Sequence, residues 1–511
     1  MRKHDKGVTA TTADVLVIGG GGSGLAAAIE AAEQGASVLV LEAGEELRGS
    51  TGRSVGSIAA SCTPDQRQQG IQDSLEEHLR DYRKLSGALA EQEDPELVEL
   101  LIHNVTATLA WLRGMGMEFY GPVGESPHSV PRLHNILPGS RAYIHHLARR
   151  ARSVGVQVLL GTPVEALLSD HGRIVGVRAS GREYRAERAV VIASGDFSAS
   201  ERMKTERISP RVAGFQPVNP LANGDGQRMA EAVGATVLNA DLFDVPSMRL
   251  SPPASEGLYG LVQKVPPVRT FTGVVRWSLA NLPNRLVRSL MMGFVTTFLS
   301  PRESMFTDGA ILVDRAGRLR SETEENINLS VAALGGQGGF LIGDATLYQR
   351  YDAAPNHVAT APGVAHAYMS DFQRARRDVY TEAPTLDGLA TSLGLPPQAV
   401  AQAVEEGNER KRARGGPELG WGPWFALGPL HAFLIQTNGG LAVNRDLAVL
   451  DASHQAIPGL FAAGNAGQGG LALFGHGHHL GWAFTSGRLA GRSAAHQPRQ
   501  HEDQSTQGED R

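Results

Sequence analysis

Three glycines with GxGxxG spacing, Gly19, Gly21 and Gly24, directly follow an apolar run at residues 15–18. Glycine at these positions permits a tight turn, a close approach of backbone to a pyrophosphate, and close packing of a helix on a strand. An alanine-rich stretch and a second apolar run then lead to Glu42, eighteen residues after Gly24. A carboxylate at that distance can accept hydrogen bonds from a ribose diol. The pattern predicts a β-α-β unit that binds a dinucleotide; a glycine-rich loop without a ligand would leave Glu42 unexplained.

Four more segments contain glycine-rich motifs, and in the first of them, residues 48–57, the small hydroxyl and glycine residues suit a backbone lying flat against a ring system. The four segments are residues 48–57, residues 190–200 with residues 223–230 after them, residues 437–441, and residues 457–470, from which the chain continues to Gly491. Together these four segments are expected to distinguish which dinucleotide cofactor the protein binds.

Gln436 and three closely spaced histidines, His476, His478 and His479, are the side chains available for proton chemistry beside these segments. Near neutral pH an imidazole donates or accepts a proton, or polarises a carbonyl. The alternative is that the histidines pack against the cofactor or against one another. No carboxylate completes an obvious ligand set with them, so we expect no metal site.

The composition excludes several classes of function. The chain has 511 residues, 41% of them hydrophobic and 20% charged, with a net charge of −5 and no evident basic face. We therefore expect no nucleic-acid partner. Cys62 is the single cysteine, which excludes an intrachain disulfide, a thiolate zinc site, an iron–sulfur cluster and CxxCH haem attachment.

The hydrophobicity pattern predicts a cytoplasmic protein without a membrane partner. The N-terminus is polar and shows no cleavable signal peptide. The longest apolar stretch, residues 290–299, is too short to span a bilayer. We interpret it as a buried helix or a pocket wall.

The order of patterns along the chain indicates an α/β domain interrupted by an insertion. Residues 1–13 and 496–511 are polar and are expected to be disordered. Residues 14–240 and 425–495 form the two parts of the α/β domain, and residues 241–424, richer in proline, arginine and aromatic residues, form the insertion. Periodicity predicts helical structure at residues 74–114 and 385–406, and strands at residues 156–160, 173–179 and 189–194.

These motifs, in this order, resemble the flavoprotein-subunit family of fumarate reductase and succinate dehydrogenase, which also contains 3-ketosteroid dehydrogenases. The similarity covers most of residues 14–240 and 420–491. It implies bound FAD and an α/β fold: a Rossmann-like FAD-binding domain built from both chain ends, with an inserted α+β substrate or capping domain.

The resemblance also implies a set of cofactor-binding residues. On the adenosine side they are Gly19, Gly21, Gly22, Ser23, Gly24, Glu42, Ala43 and Val164; along the ring and ribityl chain they are Ser50, Thr51, Gly56, Ser57, Ala193, Ser194, Gly195, Asp225, Gly464, Asn465, Leu480 and Gly481. Leu480 and Gly481 are expected to open the last helix, whose N-terminus favours negative charge on a reduced flavin.

Departures from the family pattern narrow the expected chemistry. Ser50 stands where membrane-bound fumarate reductases attach FAD through histidine, so the FAD is expected to be non-covalent. Their substrate-binding histidine corresponds to Gln436 in this chain. Of their two substrate arginines, one falls near Ile327 and the other at Leu473 or Phe474. Fumarate or succinate chemistry is therefore not expected.

The ketosteroid dehydrogenase branch is the nearer resemblance. The pair Gly464-Asn465 and the ending at residues 477–483 are similar to that branch, although its tyrosine near Leu473 is absent. We expect Arg302 and Glu303 to form an ion pair, with a substrate contact as the alternative. We expect the segment Arg132-Leu-His134 to border the pocket. Three tyrosines are further candidates for the proton acid, and nothing ranks them: Tyr259, Tyr348 and Tyr351.

The resemblance thus implies an FAD-dependent oxidoreductase that transfers hydride to form or reduce a C–C double bond next to a carbonyl, on a largely apolar ketone. His476, His478 and Gln436 are the catalytic candidates. The partners are a small-molecule substrate and an unidentified electron acceptor or donor. Two alternatives stay open: an enoate or dicarboxylate reductase with a rebuilt carboxylate clamp, and a non-catalytic flavin-binding subunit for electron transfer or assembly.

Overall fold

The computed structural model describes residues 11–244, 247–251, 265–281, 301–320, 327–361 and 365–500. The strands in this part of the chain are β1 (Thr12–Ile18), β2 (Val38–Leu41), β3 (Ser57–Ala59), β4 (Phe119–Val123), β5 (Leu133–Ile136), β6 (Gln157–Leu159), β7 (Val164–Asp170), β8 (Arg173–Ala179), β9 (Arg182–Ile192), β10 (Gln216–Pro217), β11 (Val237–Leu238), β12 (Ser247–Leu250), β13 (Ile311–Val313), β14 (Gly339–Gly343), β15 (Ala359–Ala361), β16 (Ala365–Ala367), β17 (Tyr380–Ala383), β18 (Trp424–Leu434), β19 (Gly440–Leu441), β20 (Ala448–Leu450) and β21 (Ala456–Ala462).

The α-helices of the same residues lie between or after these strands, singly or in groups. They are α1 (Gly22–Glu33), α2 (Pro64–Gln68), α3 (Leu75–Ser86), α4 (Pro95–Gly114), α5 (Arg141–Ser153), α6 (Glu201–Arg207), α7 (Pro210–Ala213), α8 (Asp225–Glu231), α9 (Arg269–Asn281), α10 (Ser304–Thr307), α11 (Ile327–Ala332), α12 (Ala345–Tyr351), α13 (Met369–Ala375), α14 (Leu386–Ser392), α15 (Pro397–Ala413) and α16 (His478–Ala495).

The main sheet is built around β1, in the order β20-β21-β9-β1-β2-β6. β1 runs parallel to β2 and β9, with Val15 opposite Val38 on one side and Ala189 on the other. Leu16 and Val17 in its centre are fully buried. A strand covered on both faces needs a continuous apolar run rather than an alternation of apolar and polar residues. The apolar run at residues 15–18 therefore predicted β1.

The two ends of the chain meet in this sheet. β21 pairs in parallel with β9, and α16 packs along α1. The contact depends on small residues, since a Cβ added to Gly491 would lie 2.1 Å from the carbonyl oxygen of Ala27, and one added to Gly487 would lie 2.4 Å from that of Ser23. The expected α/β fold assembled from both chain ends is confirmed.

A second sheet, in the order β10-β18-β14-β13 with β12 and β17 also on β18, lies in the middle of the chain. Its strands are antiparallel except for the short β10–β18 pair. One side packs around Met305 and Leu341, and the other around Ile342 and Val400. β18 crosses the predicted boundary at residue 425, and the domain boundaries drawn from the sequence remain predictions.

The helical stretch predicted at residues 74–114 is two helices, α3 and α4, with a short 3-10 turn at Gly87–Glu91 between them. Gly87 has φ +56°, a left-handed conformation that ends α3. Pro95 occupies the first turn of α4, and the Asp94 side chain caps it by accepting a hydrogen bond from the Glu96 amide at 2.8 Å.

The remaining elements follow the predicted pattern with shifted ends. The helical pattern at residues 385–406 is α14 and α15, and the strand predicted at residues 189–194 is the end of the longer β9. Residues 290–299 lie outside the described residues. Within the described ranges, no helix is both long and apolar enough to cross a membrane.

Candidate active site

A cleft lies at the carboxyl ends of β1 and β2. Its volume is about 920 Å³, including open solvent at its mouth. Ligands of open α/β sheets bind at this edge. Of the predicted cofactor-binding residues, the following line it: Gly19, Gly21, Gly22, Ser23, Glu42, Ala43, Ser50, Thr51, Val164, Ala193, Ser194, Gly195, Asp225 and Asn465.

The glycine turn leaves backbone donors pointing at the cleft. Gly19 has φ +103°, and a Cβ on Gly24 would lie 1.9 Å from the Gly19 carbonyl oxygen, so neither position tolerates a side chain. Gly21 is the N-cap of α1 and makes no side-chain cap. The first N–H groups of α1 are therefore left for a ligand, and this end of the helix favours an anion. The turn fits the pyrophosphate of a dinucleotide.

Glu42 is held at the end of β2 by two backbone groups. Its Oε2 accepts a hydrogen bond from the Gly20 amide at 2.6 Å, and its Oε1 accepts one from the Gly44 amide at 2.7 Å. The side chain is buried and lines the cleft. A carboxylate has further lone pairs for a ribose diol, and the ribose contact stays a prediction.

Ser50 also lines the cleft, and its hydroxyl oxygen accepts a hydrogen bond from Asn219 Nδ2 at 3.1 Å. Histidine, cysteine and tyrosine are absent from the described residues that line the cleft. These are the side chains that would offer a nucleophilic atom for a covalent bond to the flavin ring. Non-covalent attachment of the cofactor stays a prediction.

Six predicted cofactor-binding residues do not line this cleft: Gly24, Gly56, Ser57, Gly464, Leu480 and Gly481. Ser57 donates its hydroxyl to Asn135 Oδ1 at 2.5 Å, and the Tyr143 hydroxyl donates to the Gly56 carbonyl at 2.9 Å. Gly464, with φ +62°, packs against Ser23. Leu480 and Gly481 lie within the first turn of α16, because the helix already begins at His478, after Gly477 at φ +93°.

Gln436 joins the cleft to a second group of polar side chains. Its Oε1 accepts a hydrogen bond from Asn465 Nδ2 at 2.9 Å, and Asn465 lines the cleft. Its Nε2 donates to Asp244 Oδ2 at 2.9 Å and also contacts His479 Nε2. Both amide hydrogens of Gln436 are therefore engaged, and its side chain is fixed between three partners.

Asp244 is a residue that the sequence analysis missed. Burial raises the pKa of its carboxyl to about 6. Its Oδ1 is buried and has no hydrogen-bond partner among the residues that the structure describes. No motif marks this position, which lies in the loop before β12, and only the folded chain brings it to Gln436.

The two adjacent histidines at the start of α16 have different surroundings. His479 contacts Gln436, and its Nδ1 is buried without a partner in the described part of the chain. His478 instead lies 3.3 Å from His78, Nε2 to Nε2, and its Nδ1 lies 2.8 Å from the Phe474 carbonyl oxygen. Burial lowers the pKa of both imidazoles to about 3, so both are neutral near pH 7.

His476 lies at the surface, with 53% of its side chain exposed. Its Nδ1 is 2.5 Å from Glu125 Oε1, and this hydrogen bond raises the pKa of His476. Of the three predicted catalytic residues, only Gln436 hydrogen-bonds to a residue lining the cleft. His476 forms an ion pair, and His478 belongs to a buried histidine cluster, so the packing interpretation fits it best.

The other candidates are engaged in contacts of their own. Arg132 is fully buried between Asp73, at 2.6 Å, and Asp81, at 2.5 Å. Glu303 accepts a hydrogen bond from Asn328 Nδ2 at 2.6 Å, while Arg302 faces His357.

His134 and two of the tyrosines are also hydrogen-bonded. His134 contacts Thr63 at 3.2 Å, Tyr348 donates to Gln373 at 3.1 Å, and Tyr351 donates to Asp308 at 2.8 Å. Tyr259 lies outside the described residues.

Comparison with known proteins gives consistent matches. The FAD binding domain family matches residues 14–258 and 390–477. NADH:fumarate oxidoreductase of Klebsiella pneumoniae is 26% identical over 88% of this chain, which spans only 44% of that protein's length. Vinyl phenol reductase of Lactiplantibacillus plantarum is 25% identical over 97% of both chains. The crystal structure of 3-ketosteroid-Δ4-(5α)-dehydrogenase from Rhodococcus jostii RHA1 superposes with a TM-score of 0.59, at 25% identity, over 97% of this chain and 99% of that one.

Proposed function

The chain belongs to the FAD binding domain family and is an FAD-dependent oxidoreductase, and from this premise we propose its substrate. The substrate is a largely apolar ketone, and the reaction forms or reduces the carbon–carbon double bond next to its carbonyl. FAD, when bound, supplies the acceptor or donor of the hydride.

The observation that carries this proposal is the make-up of the polar group around Gln436. It contains a carboxyl, an imidazole and two amides, from Asp244, His479, Gln436 and Asn465, and no hydrogen bond within it involves Arg or Lys among the described residues. A buried dicarboxylate would need paired cations to offset its desolvation. Asp244 would repel it. A ketone needs only hydrogen-bond donors to its single oxygen.

Leu473 supports the same conclusion. It is one of the two positions where the sequence resemblance places a substrate arginine, and it is fully buried. Its own amide donates to the Tyr82 hydroxyl at 3.2 Å. With leucine in place of arginine, this position supplies no cation for a substrate carboxylate.

The roles of this chain's residues follow from their positions. The glycine turn and Glu42 hold the adenosine half of the cofactor, and Ser50 and Thr51 border the part of the cleft that also contacts Asn465. His479 carries its proton on Nδ1 when Nε2 accepts from Gln436, and that N–H is free to donate to a carbonyl oxygen as negative charge develops there.

An enoate or dicarboxylate reductase is the second candidate function. It is favoured by the similarity to the NADH:fumarate oxidoreductase of Klebsiella pneumoniae. This candidate would need arginines other than those described around Gln436 to clamp the carboxylates.

A panel of substrates under anaerobic conditions separates the two candidates. Saturated cyclic ketones and steroid ketones are added to oxidised holoenzyme, and enones, a vinyl phenol and fumarate to photoreduced holoenzyme, while the flavin absorbance is followed. We expect bleaching by a ketone, reoxidation by the matching enone, and no response to fumarate. Rapid reoxidation by fumarate alone would overturn the ketone proposal in favour of the second candidate.

A further inference from the structure

Asp244 is a titratable side chain that lies one hydrogen bond beyond Gln436 and belongs to none of the sequence motifs. We propose that Asp244 is the catalytic residue that exchanges a proton with the substrate carbon next to the carbonyl. The inference rests on the proposed function and assigns the proton step of that reaction.

The geometry leaves one oxygen of Asp244 available. Oδ2 accepts from Gln436 Nε2 at 2.9 Å, whereas Oδ1 is buried and unpartnered in the described ranges. Such atoms are rare in folded proteins because a lost hydrogen bond is costly. Gln436 is itself held by Asn465 and His479, so the carboxyl is fixed relative to the cofactor cleft rather than free to turn to solvent.

The titratable and polar groups around Asp244 come from three segments of the chain: Asp196, Gln436, and His476 with His479. Burial has the largest effect on its pKa and raises it; Asp196 raises it further, while the hydrogen bond from Gln436 and the charge of His476 lower it. His479 is neutral near pH 7. The resulting pKa of about 6 lies near the working pH of most enzymes, where one carboxyl serves both as acid and as base.

Other side chains in this region are less suited to the proton step. Both nitrogens of His478 have partners in the interior, and His476 is paired with Glu125 at the surface. The low pKa of His479 makes it a donor of a hydrogen bond rather than a carrier of a proton.

In the direction of oxidation, the reaction breaks two C–H bonds and forms one carbon–carbon double bond. The Asp244 carboxylate takes the proton from the carbon next to the carbonyl, and the electron pair of that C–H bond becomes the new double bond. The neighbouring carbon loses a hydride, with its electron pair, to oxidised FAD. In the direction of reduction, the protonated carboxyl returns the proton to the same carbon. The oxidation rate should therefore rise with pH through about 6, and the reduction rate should fall.

Three variants of the holoenzyme test the role of Asp244. Asp244→Asn keeps the shape of the side chain but replaces the titratable carboxyl with an amide, and Asp244→Glu keeps a carboxyl at this position. Asp241→Asn is the control and removes an exposed charge from the same loop. With the ketone found by the panel, we expect Asp244→Asn to slow flavin reduction by about 10²–10⁴-fold while the dissociation constants of FAD and ketone change less than threefold. Asp244→Glu should recover part of the rate, and Asp241→Asn should match the parent protein.

A second measurement does not depend on the substrate. Infrared difference spectra of the holoenzyme between pH 7 and 5 should show a carboxyl that gains its proton near pH 6 and is missing in Asp244→Asn. Absence of that signal, or turnover of Asp244→Asn within threefold of the parent, overturns the proposal. If no ketone reacts with the parent protein, the proposed function fails, and the infrared signal alone decides whether Asp244 holds a proton near neutral pH.

Discussion

Glu42 shows how one side chain can serve both the protein and its cofactor. Its carboxylate fixes two backbone amides of the glycine-rich turn, and we predict that it also binds the ribose of FAD. Glu42→Ala removes charge-assisted hydrogen bonds of about 1.5–3 kcal/mol each. We expect the purified variant to keep its fold by circular dichroism and to lose most of its flavin during gel filtration.

Glu46→Ala is the matched control for this substitution. Glu46 is close in sequence and 70% exposed, and in the described part of the chain it forms a salt bridge with Arg48 at 3.4 Å. The ratio of flavin to protein absorbance should stay at the parent value in Glu46→Ala. An equally unchanged ratio in Glu42→Ala would show that the adenosine half of FAD lies elsewhere.

The residues of the candidate site were predictable from the sequence to different degrees. The glycine turn and Glu42 follow a local pattern whose parts lie within one β-α-β unit, so spacing alone located them. His478 and His479 are adjacent in sequence, but successive side chains on a helix point about 100° apart, and they belong to separate clusters. Asp244 reaches Gln436 from 192 residues away, and no local pattern carries such information.

At the scale of secondary structure, the contact between α1 and α16 depends on two glycines of α16. We predict that Gly491→Ala destabilises the protein by about 1–3 kcal/mol, because its methyl group would lie 2.1 Å from the Ala27 carbonyl oxygen. Thermal unfolding should report the loss. Gly114→Ala, at the end of α4, meets no atom within 4 Å and should leave the melting temperature unchanged or slightly higher.

The elements that the sequence predicted well are those whose apolar period is long and unbroken, such as β1 and α1. The break between α3 and α4 was missed because the apolar period continues through Gly87, which by itself is tolerated in a helix. Most strands of the second sheet are only two to five residues long. All of them except β13, which pairs with β14, are stabilised by pairing with β18 from distant parts of the chain. Short strands of this kind carry little periodicity of their own.

At the scale of the whole molecule, the cleft in which we expect FAD to bind has walls from both ends of the chain. Ser23 and Asn465, which line it, are separated by most of the sequence. Because FAD binds the native and not the unfolded protein, it should raise the melting temperature in a concentration-dependent way.

Acid precipitation of the yellow holoenzyme should release the flavin into the supernatant. Flavin that stays with the pellet would contradict the non-covalent attachment inferred from Ser50.

The position of β21 beside β9 also determines when this protein can fold during its synthesis. Residues 456–495 are translated after β9 and α1, and they supply both the strand that covers the edge of β9 and the helix that covers the small-residue face of α1. Until they leave the ribosome, the nascent chain exposes an unpaired strand edge and an apolar helix face. Both are surfaces that chaperones bind and through which chains aggregate. The cofactor domain is consequently completed only once residues 456–495 have been translated.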